Sequence, residues 1–172
     1  MTSMGRLHNR DYYRDLAAYL RERTFLCPVG LAVTNPSTTV AEEVVVTLEI
    51  GTADVSVLGE DDLPPQPSTD WIPRINAIRP HQAQRVEVAQ FGEIYEVRAQ
   101  IGNVQPGTTG WSVRPFYIGA RHTITVEAKI TISANNLRVP VSGVATISIE
   151  ATSRKLGVSD IKAMDLGDSA DG

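Results

Sequence analysis

The chain has 172 residues, enough for one domain with a substantial core, and 42% of them are hydrophobic, which excludes a disordered chain and a membrane-spanning composition. Lys and Arg number 16 against 20 Asp and Glu, a net charge of −4. Bulk electrostatics therefore argue against nonspecific nucleic-acid binding, although a local basic patch stays open.

Residues 1–9 are polar and contain no apolar core of a signal peptide, and no apolar run reaches membrane-spanning length; the expected address is cytoplasmic. Asn9-Arg10-Asp11 reads as a helix start with Asn9 as cap. Tyr12, Leu16, Tyr19 and Leu20 then recur at helical spacing, predicting one amphipathic helix of three to four turns whose apolar stripe is a docking face.

From residue 25 the period changes to two. Phe25, Cys27, Val29, Leu31 and Val33 share one parity, which places Cys27 on an apolar strand face as inert filler. Asn35-Pro36-Ser37-Thr38 is a turn. Val44, Val46, Leu48 and Ile50 alternate with polar or smaller neighbours, Val55 and Val57 suggest a short strand, and Val86, Val88, Tyr95, Val97, Ala99 and Ile101 resume the pattern. Gln105 to Gly110 reads as a hairpin turn, with a strand starting at Trp111, which belongs to the core or a sheet edge. Ile124, Val126, Ala128, Ile130 and Ile132 form one dry row; Val139, Val141, Ala145, Ile147, Ile149 and Ala151 form another. Asn135-Asn136 between them suits a turn with positive φ.

One wet and one dry face per strand is the signature of antiparallel sheets. Seven to nine such strands need a second sheet over the dry face. The expected fold is thus all-β, an immunoglobulin-like antiparallel sandwich over residues 25–152, with a barrel as the alternative. Residues 1–24 are read as helix and linker, and residues 153–172 as a helical turn with an acidic tail.

Chemistry-bearing patterns are sparse. His8, His81 and His122 lack metal-ligand spacing, and His122 shares the inward parity of its strand, as a core-edge histidine bonded to backbone would. A single cysteine forms no intrachain disulfide. No G-x-S-x-G elbow or phosphate-binding loop is present, and Glu60-Asp61-Asp62 lacks the alternating ligands of a calcium loop. No enzyme activity, cofactor or metal is expected. Residues 59–82 form a long loop holding five of the ten prolines. Within it Trp71, Ile72, Arg74, Ile75 and Arg79 combine the residue types that anchor protein interfaces, against the alternative that Trp71 caps the sandwich.

Several phrases, in order, resemble a bacterial family. They are Tyr12-Tyr13-Arg14-Asp15-Leu16, Phe25-Leu26-Cys27-Pro28-Val29, Val33-Thr34-Asn35, Asp62-Leu63-Pro64-Pro65-Gln66-Pro67, Val104-Gln105-Pro106-Gly107, Pro115-Phe116-Tyr117-Ile118-Gly119-Ala120 and Ala134-Asn135-Asn136-Leu137-Arg138-Val139-Pro140. The order is similar to the C-terminal β-sandwich region of proteins whose N-terminal half is an AlbA-type, Schlafen-like DNA-binding domain. The resemblance implies an accessory domain of a nucleic-acid-associated or defence-related protein and transfers no catalytic residue. The leading reading is an interaction or assembly module whose partner is a protein, an upstream domain of the same polypeptide or another copy, with no strong direct nucleic-acid binding and no membrane. Two others stand beside it: a nucleic-acid accessory domain using Arg74, Arg79 and Arg114, and a carbohydrate-type ligand site stacking on Trp71 or Trp111.

Overall fold

The computed structural model describes residues 11–67, 86–151 and 157. The chain divides into two compact units, one of Phe25–Leu63 with Pro80–Ala151, the other of Met1–Thr24 with Pro64–Arg79 and Thr152–Gly172. In the second, α1 spans Tyr12–Thr24, with Asp15 in its first turn and Arg21 and Arg23 in its last, the charge order that suits a helix dipole. Tyr12 and Leu16 are buried and Tyr19 and Leu20 half-buried, so the expected stripe is the sheltered side of the helix. The expected cap Asn9 lies outside the described residues.

The larger unit, among its described residues, has strands and one 3-10 turn at Glu60–Asp62 as its regular elements. Its strands are β1 (Cys27–Val29), β2 (Ala32–Thr34), β3 (Ala41–Gly51), β4 (Val55–Leu58), β5 (Val86–Phe91), β6 (Ile94–Val104), β7 (Thr109–Trp111), β8 (Phe116–Ala120), β9 (Ile124–Ser133) and β10 (Val141–Ile149). They form a five-stranded sheet in the order β10-β9-β3-β6-β5, a three-stranded sheet β1-β8-β4 and a two-stranded sheet β2-β7, with every pairing antiparallel.

One hydrophobic core draws on the two larger sheets. Val44, Val46, Leu48 and Ile50 of β3 and Val97, Ala99, Ile101 and Val104 of β6 face Val55 and Val57 of β4 and Phe116, Ile118 and Ala120 of β8 in a single cluster. The period-two rows of β3 and β6 are thus the inner face. The sheets differ in reach. Eleven residues of β3 at about 3.3 Å each extend about 36 Å, whereas five residues of β8 extend about 17 Å, so the smaller sheet cannot cover the larger one end to end.

β3 begins with a bulge. The register slips between Ala41 and Val45, and Glu43 takes a φ of 50°. Two asparagines hold it: Asn103 Oδ1 accepts from the Glu43 N–H at 2.9 Å, and Asn136 Oδ1 accepts from the Glu42 N–H at 3.2 Å. Asn135 and Asn136 do form the turn between β9 and β10, but neither has positive φ. The Asn136 side chain instead ties that turn to β3, its amide donating to the Val40 carbonyl.

Asn35 is a buried polar node. Its amide donates to the Val104 carbonyl at 2.9 Å and the Thr39 carbonyl at 2.8 Å, and its oxygen accepts from the Ser37 N–H and hydroxyl. Asn35→Ala strands the buried Val104 carbonyl and is expected to cost about 1–3 kcal/mol in urea unfolding at unchanged m-value. An unaltered midpoint would show that water takes over the amide's role.

Four expectations need correction. Cys27 is exposed although Val29 of the same strand and parity packs against the core, and the run from Phe25 to Val33 splits into β1 and β2 of different sheets. His122 is exposed on the loop before β9, its Nε2 3.8 Å from Asp54 Oδ2. Trp111 ends β7 rather than starting a strand; of its two expected places it takes the sheet edge, on the two-stranded β2-β7 sheet, and is 65% exposed. Val139 and Val141 share the dry parity of Ile149 yet lie in solvent, because nothing among the described residues covers that end of the sheet.

Candidate interaction surface

Five of the predicted site residues, Trp71, Ile72, Arg74, Ile75 and Arg79, lie outside the described residues. Arg114 is described and is engaged: its guanidinium lies 3.0 Å from Glu60 and 3.9 Å from Asp61, beside a shallow cleft that also meets Asp62 and Glu87. A guanidinium neutralised by two carboxylates in an acidic cleft is a poor phosphate anchor. Glu60 and Asp61 of the acidic turn therefore have a cationic partner.

The surface that stands out was not singled out from sequence. β10 is an outer strand of the five-stranded sheet, paired on one side with β9 through nine successive residues from Val141↔Ile132 to Ile149↔Ile124 without a register slip. Its sequence, VSGVATISI, has no charge and no proline. Outer strands present unpaired backbone N–H and C=O groups, and proteins normally blunt them by shortness, charge, proline or a bulge. The other outer strands of the two larger sheets follow that rule. β1 has three residues and contains Pro28, β4 has four residues, and β5 carries Glu87. β10 has none of these protections.

Its side chains add to the effect. Val139 is 73% exposed, Val141 57% and Val144 69%, with Leu137 also exposed just before them. On the inward side, Ala128 of β9 and Ile149 are buried, but Ile130 and Ile132 are only half-buried, so cover fades towards Val141. On the outer side the Thr131–Ser142 and Thr125–Ser148 hydroxyl pairs, each at 3.4 Å, form an uncharged polar row. An uncharged edge of this length, rich in β-branched residues and without a register slip, supports backbone pairing with another strand. The sequence signal was present as the absence of any Lys, Arg, Asp, Glu or Pro between Val141 and Ile149; it becomes meaningful once β10 is known to be an edge.

Two smaller apolar features lie elsewhere. Phe91 and Ile94 are cross-strand partners exposed at the tip of the β5–β6 hairpin, and Trp111 stands out from the β2–β7 pair beside exposed Val113. No helix among the described residues is long and apolar enough to cross a membrane. Comparison of the chain with protein families, with curated proteins and with solved structures finds no match.

Proposed function

We propose that the chain is a non-catalytic interaction or assembly module, an immunoglobulin-like sandwich that serves as the accessory domain of a larger bacterial nucleic-acid-associated or defence-related protein. The single observation that carries the module reading is the nine-residue edge of β10, which has no charge, no proline and no second partner among the described strands, together with its exposed valines. The nucleic-acid or defence context rests on the ordered phrases that resemble AlbA-type proteins. The engaged state of Arg114 favours a protein partner over direct contact with phosphates.

A second reading has its own observation. An indole 65% exposed at a strand end is a platform on which a sugar ring could stack, so Trp111 supports a small-ligand site.

One experiment separates the two. The tagged chain is isolated from its own cells, the native mass of the complex is measured, and the capture is repeated with Val144→Glu and Trp111→Ala. Val144 faces Lys129 across the β9–β10 ladder, so a glutamate there does not penalise the isolated fold. The expected result is a loss of captured partner of about ten-fold or more with Val144→Glu, at unchanged melting temperature. Capture indifferent to Val144→Glu removes β10 as the docking edge, and a loss confined to Trp111→Ala favours the stacking site.

A further inference from the structure

We infer that the strand completing the β10 edge is β10 of a second copy of this chain, paired antiparallel about a two-fold axis through Ala145; the inference rests on reading β10 as the docking edge. A two-fold contact sets each residue against a residue of the same strand, so any charge in the strand restricts the registers that avoid like-charge pairs. β10 has no charge to restrict it. An axis at Ala145, the middle of Val141–Ile149, pairs all nine residues, and any other axis shortens the ladder.

The side chains fit that axis. Inward-parity residues meet inward-parity residues: Val141 faces the partner's Ile149, Gly143 faces the partner's Ile147, and Ala145 meets its own mate, so large groups lie across from small ones or at the ends. On the outer face Val144 meets the partner's Thr146, a β-branched pair, and Ser142 meets the partner's Ser148. Exposed Val141 and Val144 both gain neighbours, and two five-stranded sheets become one continuous sheet of ten. Gly143 leaves room opposite the partner's Ile147: it is exposed, and a Cβ there would meet nothing within 4 Å among the described residues.

The test uses two double variants of the full chain. Ser142→Lys with Ser148→Lys sets two like-charge pairs across the axis, whereas Ser142→Lys with Ser148→Glu sets two opposite-charge pairs. Within one chain these positions face Thr131 and Thr125, so both variants lose the same hydroxyl contacts. Sedimentation equilibrium is expected to show a wild-type dimer, at least about ten-fold weaker association for the Lys/Lys variant, and association within about three-fold of wild type for Lys/Glu. Circular dichroism and melting confirm that each variant folds. If either fails to fold, wild-type amide exchange decides: concentration-dependent protection of residues 141–149 supports the pairing, and its absence refutes it. A wild type that stays monomeric to about 1 mM, a dimer indifferent to Lys/Lys, or a folded Lys/Glu variant that no longer associates each overturns the inference. A monomeric wild type leaves the module reading standing, because the Val144→Glu capture experiment is read independently of self-association.

Discussion

Phe116→Ala is expected to lower the unfolding free energy by about 3–5 kcal/mol, which would leave a domain of ordinary stability marginal. Phe116 is fully buried and is the largest side chain in that state. It opens β8, the middle strand of the three-stranded sheet, where it pairs with Val29 of β1, while β4 holds the other side of β8 through Leu58, Val57, Ser56 and Val55. Ladders on both sides hinder collapse of the strand into the space left by the ring, so both the lost transfer energy and the cavity term are felt in full. Denaturant unfolding measures the loss directly. A cost below about 1.5 kcal/mol would mean that the smaller sheet slides to fill the space, and that the core is less close-packed than its burial indicates.

Gly119→Ala should destabilise at or beyond the upper end of the about 1–3 kcal/mol typical of overpacking. A Cβ at Gly119 would collide with the Phe25 carbonyl oxygen and lie 2.7 Å from the Phe25 ring and 2.9 Å from its carbonyl carbon. The obstacle is backbone, which cannot rotate away as a flexible side chain would. Gly119 does not have positive φ, so close approach rather than backbone conformation is what requires glycine there. Gly51 at the end of β3 is the control: it also lacks positive φ, and a Cβ meets nothing within 4 Å, so Gly51→Ala should be neutral or stabilising by up to about 1 kcal/mol. Paired thermal melts decide. Equal melting of the two variants would show that the chain entering β1 moves aside at little cost.

Much of the secondary structure was legible from periodicity. The change from a 3.6-residue to a two-residue repeat at residue 25 matches the end of α1 at Thr24, and the alternating rows at residues 44–50 and 95–101 are the inner faces of β3 and β6. These follow from local geometry, since side-chain direction in a helix or strand depends on little beyond the residue's own backbone. The turn at Asn35 was equally readable, because an asparagine followed by Pro-Ser is local hydrogen-bonding chemistry.

What the amino-acid order could not convey is what lies over each face. Alternation assigns Cys27, Trp111 and Val141 each to one side of a strand, but burial depends on what distant residues place over that side: nothing among the described residues covers Val141, and Cys27 and Trp111 lie on the two smaller sheets themselves. The same holds for the edge. VSGVATISI describes a comfortable inner strand as well as it describes an outer one; only the order β10-β9-β3-β6-β5 leaves its backbone without a second partner among the described strands. Strand composition and face are local properties of the chain. Cover, sheet order and exposed edges arise from long-range pairing, and for this protein the tertiary structure alone decided them.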